Sequence, residues 1–183
     1  NLNHLKHFTT SEYPINYTKA IERTETSTVE FVATNIDSGK PEYLTPTLNN
    51  WNDCLIASST LPIYTKGKHE IEGKKLMDGG WSDPIPVQRA IELGATKIVV
   101  IRTSPKEKKD KLSYIGYLSS FWNKEQEAWK KCLKEEHLYY NSAIDFMNQQ
   151  HEGVEIHQIA PPKKLKTSSH SSSRKKAEYD YGM

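Results

Sequence analysis

The chain has 183 residues, of which 36% are hydrophobic, and its mean hydropathy is −0.75. A chain of this length can bury a core, and its apolar residues are clustered, which argues against a disordered protein. Its 25 basic and 23 acidic side chains nearly balance, leaving a net charge of +2, so no global field indicates a nucleic-acid-binding protein.

The two cysteines, Cys54 and Cys132, lie far apart and form no CxxC pair. This spacing predicts a reducing compartment rather than a disulfide framework. No apolar run approaches the roughly 20 residues of a membrane span, and residues 1–7 lack the apolar core of a signal peptide. We therefore expect a cytoplasmic chain, with a peripheral position at a membrane as the alternative. Because residue 1 is not methionine, we expect the chain to begin inside a longer protein.

The first half of the chain predicts short strands and one short helix. Residues 28–35 are rich in β-branched and aromatic side chains and predict a strand. Residues 37–41 predict a turn, and residues 42–44 an antiparallel return. Residues 50–61 predict a short helix, with an asparagine as N-cap and an end set by the following proline. Residues 71–75 contain a further turn at a glycine.

A helix followed by an apolar strand is predicted next. Pro86 suits the first turn of a helix and Gly94 suits its C-cap. Residues 97–103 then contain a continuous apolar run, IVVI, which is typical of a parallel strand buried on both faces. Helix, glycine and buried strand form the second half of a right-handed βαβ unit, so we predict an α/β layered fold.

The remainder has a different composition. Residues 112–151 are mostly helical in composition, and residues 154–159 predict a last short strand. Residues 163–176 are basic and rich in serine. We therefore predict a first domain over residues 1–105 and a mostly helical extension with a short strand over residues 106–183, truncated at its end.

The aromatic, basic and histidine residues outside the α/β part are better explained by structural roles than by a binding or catalytic site. The aromatic side chains from Tyr114 to Trp129 indicate a helix core, with contact to a membrane surface as the alternative. The basic tail could attract anionic headgroups, but a solvated loop explains it as well. His4 and His7 lack further ligands at zinc spacing, so no metal site is predicted.

The sharpest local feature is Asp78-Gly79-Gly80, here called the DGG motif. A carboxylate at the end of a strand lies where ligands bind in α/β sheets. The two glycines let the backbone turn tightly and let a substrate or partner group approach. Taken alone, the motif is more typical of a tight turn with a solvated aspartate.

The segments around the DGG motif follow a recognisable order. An ASxxxP segment at residues 57–62 precedes the motif, and SDPIPV at residues 82–87 follows it. A GA…IVVI strand then lies at residues 94–101, and VATN at residues 32–35 precedes all of them. This order resembles the patatin-like phospholipase family of bacterial type, and the resemblance covers residues 31–103 well and the remainder loosely.

The resemblance implies a serine–aspartate dyad on a three-layer α/β/α fold. Asp78 matches the aspartate of the dyad, and Gly79 and Gly80 complete its motif. Ser58 and Ser59 would line the site or close the preceding helix, because a serine at a helix end lacks the raised nucleophile elbow. The GxSxG elbow, the oxyanion loop and the N-terminal strands of the family fall outside this chain. We therefore expect an incomplete fold that is inactive on its own, with residues 1–105 as the C-terminal portion of the catalytic domain.

The function that follows is hydrolysis of acyl esters in phospholipids or related lipids, without a metal or organic cofactor. The expected partner is a lipid or acyl-ester substrate and not nucleic acid, and the sequence does not indicate an oligomeric state. One alternative is a non-catalytic α/β binding domain in which the DGG motif is only a turn. The lack of a GxGxxG or Walker-type loop counts against that alternative. Another is a degenerate family member without the nucleophile.

Overall fold

The computed structural model describes residues 6–12, 14–61, 68–111 and 127–163. The chain is of mixed α/β type and divides into two compact units. One unit comprises Asn1–Pro86 with Asp110–Ala143, and the other comprises Val87–Lys109 with Ile144–Met183.

The elements are short except for one long helix near the C-terminus. The strands are β1 (Phe31–Asn35), β2 (Pro41–Leu44), β3 (His69–Ile71), β4 (Lys74–Asp78), β5 (Lys97–Ile101) and β6 (Glu155–Ile159). The helices are a π-helical segment (Phe8–Glu12), α1 (Tyr17–Thr24), α2 (Trp51–Ala57), a 3₁₀ turn (Gly79–Trp81), α3 (Val87–Glu92) and α4 (Glu127–Met147).

The first unit contains an antiparallel sheet in the order β2-β1-β4-β3. Strand β1 is central: Ala33 lies opposite Glu42 of β2 on one side and opposite Asp78 of β4 on the other. The predicted turn before β2 is present, and Asn35 Oδ1 accepts hydrogen bonds from the backbone N–H groups of the two following turn residues. The predicted strand and its antiparallel return are therefore confirmed.

The hairpin between β3 and β4 turns on two residues with positive φ. Glu72 has φ 52° and Gly73 has φ 77°. A two-residue hairpin loop of type I′ requires positive φ at both central positions, because only that twist matches the flanking strands. The turn predicted from the glycine is thus present, and it sets the register that carries β4 toward the DGG motif.

Side chains on the two faces of the first sheet form separate clusters. Leu76 packs with Ala33 and Ala57 of α2, whereas the next residue, Met77, packs with Trp129 and Leu133 of α4. Neighbouring strand residues point to opposite faces, so this alternation places α2 on one face of the sheet and α4 on the other. The interpretation of Trp129 as core is confirmed. The residues before it in the predicted stripe lie outside the described part of the chain.

The second unit contains the parallel pair β5 and β6, with Val99 opposite His157. Helix α3 packs against β5, and the turn that follows the helix contains Gly94, whose φ is 88°. The prediction of a parallel strand after this glycine-capped helix is confirmed. The prediction that β5 is buried on both faces is wrong: Val99 and Ile101 are 61% and 80% exposed. A run of apolar residues shows that both faces of a strand could be buried, but not that both are. In β5, only the face with Ile98 and Val100 is buried.

The predicted domain boundary at residue 105 stays a prediction. Strand β6, predicted within the helical extension, pairs with β5. Helix α4 extends from the first unit into the second. In the described ranges no helix is long and apolar enough to cross a membrane.

Candidate functional site

Asp78 is the last residue of β4 and the N-cap of the 3₁₀ turn that follows. Its backbone N–H donates to the Thr60 carbonyl oxygen at 2.9 Å. Its side-chain Oδ1 accepts a hydrogen bond from the Gly80 N–H at 2.8 Å. The sequence prediction of a carboxylate at a strand end, followed by a tight glycine turn, is confirmed.

The Asp78 carboxyl is partly desolvated. Burial raises its pKa, and the hydrogen bond from Gly80 lowers it only in part, so the pKa remains above the ordinary value. A carboxylate with a raised pKa is a stronger base than a solvated aspartate. The hydrogen bond from Gly80 holds Oδ1, so one oxygen of the carboxyl group has a fixed orientation.

The two glycines of the motif have different roles. A Cβ atom at Gly79 would clash with the carbonyl oxygen of Val32 in β1, so only glycine fits at this position. A Cβ atom at Gly80 would lie 3.0 Å from Asp78 Oδ1. Gly79 therefore lets strand β1 lie close to the motif. Gly80 instead positions the Asp78 carboxylate through its N–H group.

A hydroxyl pair supports the backbone of the motif. Thr34 is fully buried, and its Oγ1 donates to the Asp78 carbonyl oxygen at 2.8 Å. Ser82 Oγ lies 2.8 Å from the same hydroxyl and therefore donates to it. Tyr43 Oη donates to Asp83 Oδ2 at 2.7 Å, which ties β2 to the loop after the motif. Sequence analysis included Thr34 in the segment VATN and Ser82 in the segment SDPIPV, but it assigned neither residue a role at the motif.

Ser58 and Ser59 close helix α2. Their N–H groups donate to the carbonyl oxygens of Cys54 and Ile56 respectively. The prediction that these serines close the helix is confirmed, whereas lining of a site stays a prediction. It is Thr60, rather than either serine, that hydrogen-bonds to Asp78.

Glu136 of α4 is a second unusual carboxyl that sequence reasoning missed. Its Oε2 is buried, and in the described part of the chain it has no hydrogen-bond partner. Burial, together with the charges of Asp110 and Asp78, raises the pKa of Glu136 to about 7. The available signal was its position in a helical stripe with Trp129, Cys132 and Leu133.

Metal-binding side chains do not cluster in the described ranges, where no group of three or more histidine, cysteine or acidic residues could hold an ion. His69 instead contacts Asp53, with 3.2 Å between Nε2 and Oδ1. His4 and His170 lie outside the described residues.

Two comparisons with known proteins bear on this chain. Residues 127–183 match a domain of unknown function, DUF6363. The chain is also 30% identical, over 156 residues, to the uncharacterized protein YjjU of Escherichia coli strain K12. That similarity covers 80% of this chain and 42% of YjjU, so the chain spans less than half the length of this relative. The DUF6363 match begins at the first residue of α4 and includes Glu136 but not Asp78.

Proposed function

We propose that this chain is the C-terminal part of a patatin-like lipid acyl hydrolase in which Asp78 is the general base. The observation that carries the proposal is the Asp78 carboxyl itself, which lies at a strand end, is partly desolvated and has one oxygen held by Gly80. A carboxylate that must take a proton directly from serine needs this combination of raised proton affinity and fixed orientation.

The reaction would proceed through an acyl-enzyme. Asp78 accepts the proton of a serine hydroxyl supplied from outside this chain, and the serine oxygen attacks the ester carbonyl. Collapse of the tetrahedral intermediate breaks the ester bond, and the leaving alkoxide takes the proton from Asp78. Water then attacks the acyl-enzyme, Asp78 accepts its proton, and the serine regains a proton as the fatty acid leaves. The carboxylate thus returns to its initial state without a metal or an organic cofactor.

The fold proposed for the complete protein is the three-layer α/β/α arrangement of the patatin-like family. The packing of Ala57 in α2 against one face of the first sheet, and of Trp129 and Leu133 in α4 against the other, supports a layered arrangement. We further propose a cytoplasmic location, which the two free, buried thiols of Cys54 and Cys132 support.

The substrate class proposed is an acyl ester of a lipid. A partly desolvated carboxyl favours a reaction at an uncharged carbonyl group, since a second negative charge beside Asp78 would raise its proton affinity further and oppose its ionisation. The alternative function is a binding domain in which Asp78 only caps the 3₁₀ turn, and the tight fit of Gly79 against Val32 favours a structural role for the motif.

A serine-directed probe separates these two functions. The full-length protein that carries this chain is incubated with a fluorophosphonate, which phosphonylates a serine oxygen as fluoride leaves, and the labelled peptide is identified by mass spectrometry. We expect one labelled serine N-terminal of this chain, with labelling that decreases in Asp78→Asn and persists in Asp53→Asn. Absence of a labelled serine would favour the binding domain, whereas equal labelling in the two variants would contradict the role of Asp78 as the base.

A further inference from the structure

Thr34 of the central strand β1 contacts the DGG motif through its side chain. The residue is 0% exposed, and its Oγ1 donates to the Asp78 carbonyl oxygen at 2.8 Å. Its branched Cβ restricts χ1 to few orientations, which holds the hydroxyl in place. The neighbouring strand therefore supplies the motif with a buried donor whose direction is fixed.

Ser82 sets the direction in which the Thr34 hydroxyl donates. A hydroxyl group carries one hydrogen and can accept two hydrogen bonds. Because the hydrogen of Thr34 is given to the Asp78 carbonyl oxygen, Ser82 Oγ donates its own hydrogen to Thr34 Oγ1 across 2.8 Å. The Ser82 N–H donates to the Gly79 carbonyl oxygen at 3.1 Å, so the same residue also closes the turn. Hydrogen bonds that are linked in this way strengthen one another.

The two glycines make the motif dependent on these hydrogen bonds. A glycine has no Cβ atom and populates a wide range of φ and ψ, so consecutive glycines do not fix the path of the chain by themselves. The carbonyl group that Thr34 holds belongs to the peptide between Asp78 and Gly79. The N–H of the following peptide is that of Gly80, which donates to Asp78 Oδ1 at 2.8 Å. Rotation of the first peptide would therefore turn the Gly80 N–H away from the carboxylate.

We propose that Thr34 is a positioning residue for Asp78. Its hydroxyl fixes the peptide that follows Asp78 and thereby keeps the Gly80 N–H on one carboxylate oxygen. A general base must lie within hydrogen-bond reach of the proton that it accepts, so a carboxylate that rotates spends less time in the reactive geometry. The value of this orientation for catalysis rests on the proposed function, whereas the dependence of the orientation on Thr34 does not.

Substitutions in the full-length protein separate the Thr34 hydroxyl from the volume of its side chain. Thr34→Val removes the hydroxyl and keeps the branched shape, whereas Thr34→Ser keeps the hydroxyl. Ser82→Ala removes only the group that directs this hydroxyl, and Ser82 is half-buried, so this variant serves as the test if Thr34→Val does not fold. The control is Thr9→Val, because Thr9 is also buried, at 8% exposed, and its hydroxyl donates to the Lys6 carbonyl oxygen.

The orientation of the carboxylate is measured by titrating Asp78 in protein labelled with ¹³C at the aspartate side chains. The hydrogen bond from Gly80 lowers the pKa of Asp78, so its loss should raise the titration midpoint. We expect a higher midpoint in Thr34→Val and Ser82→Ala, and the native midpoint in Thr34→Ser and Thr9→Val. A native midpoint in folded Thr34→Val, or in Ser82→Ala where Thr34→Val does not fold, would overturn the proposal.

The catalytic consequence is measured as hydrolysis of a short-chain acyl ester by the same variants. In Thr34→Val, kcat should fall on the order of tenfold to a hundredfold with KM unchanged, because Thr34 acts through the base and not on the substrate. Thr34→Ser and Thr9→Val should keep kcat close to the native value. A native kcat in a variant whose Asp78 midpoint has risen would overturn the positioning role. A native protein that hydrolyses no ester, with a midpoint that still responds to Thr34→Val, would contradict the proposed function and leave the effect of Thr34 on the carboxylate established.

Discussion

At the scale of single residues, the geometry of the DGG motif depends on contacts that the sequence does not display. The position of Asp78 at a strand end followed directly from the pattern LMDGG, because strand, carboxylate and glycine turn are adjacent in the chain. Thr34 reaches the motif from a distant segment, and only the fold brings it there. The position of the carboxylate could therefore be predicted from the sequence, whereas the contacts that hold the motif in place could not.

Gly79 gives a stability prediction. Gly79→Ala would force a methyl group against the Val32 carbonyl oxygen, and backbone atoms cannot move aside cheaply. We expect a loss of about 1–3 kcal/mol in the free energy of unfolding, measured by urea denaturation. Gly80→Ala is the matched comparison, since its added carbon would meet only the Asp78 side chain. Equal stability of Gly79→Ala and the native protein would contradict the described packing of β1 on the turn.

Glu136 gives a prediction for the pH dependence of stability. Its pKa is about 7 in the folded chain and 4.5 as the ordinary value, so between these values the folded state binds more protons than the unfolded state. The contribution of Glu136 to stability is therefore fully present below pH 4.5 and is lost as the pH rises to about 7.

Glu136→Gln removes this dependence while keeping the side-chain size. We expect the variant to gain stability relative to the native protein as the pH rises through that window, with no further change above it. Urea midpoints measured across the pH range test this. A difference between the two proteins that is constant with pH would show that Glu136 does not titrate abnormally.

At the scale of elements, the sequence predicted where the strands lie better than which of their faces are buried. The strand–turn–strand of β1 and β2 and the helix–glycine–strand of α3 and β5 follow from turn residues and apolar runs. The burial of β5 did not follow, because an apolar run permits burial on both faces without requiring it. Which face is covered depends on elements that pack from elsewhere in the chain.

Helix α4 offers a matched pair of leucines. Leu133 is 0% exposed and packs in the cluster with Met77 and Trp81, whereas Leu138 is 53% exposed on the same helix. We expect Leu133→Ala to lower the free energy of unfolding by about 2–5 kcal/mol. Leu138→Ala should change it by about 0.5 kcal/mol or less. Similar losses in thermal or urea unfolding would mean that α4 does not pack on the motif as described.

At the scale of the whole molecule, the sequence predicted the α/β class but not the division into compact units. A linear boundary at residue 105 was the natural interpretation of a change in composition. The parallel pairing of β5 with β6 joins segments from both sides of that boundary, since a parallel pair needs a long crossover connection. Long-range pairing of this kind leaves no local signal in composition.

The second unit has an apolar surface that predicts self-association of this chain. Val99, Ile101 and Ile159 are 61%, 80% and 59% exposed. Exposed apolar patches promote association, so Ile101→Thr should shift sedimentation toward smaller species at equal concentration. Leu48→Thr is the control, because Leu48 is 55% exposed and lies outside this unit. An equal effect of the two substitutions would argue against the patch as the cause.

The central claim is that Asp78 acts as the base in ester hydrolysis. Its most direct test is the rate of hydrolysis of a short-chain acyl ester by the full-length protein and its Asp78→Asn variant, with Asp53→Asn as control and folding checked by circular dichroism. We predict that Asp78→Asn lowers kcat on the order of a hundredfold or more, because the amide cannot accept the serine proton, while Asp53→Asn retains activity. Activity of a folded Asp78→Asn variant close to that of the native protein would contradict the assignment.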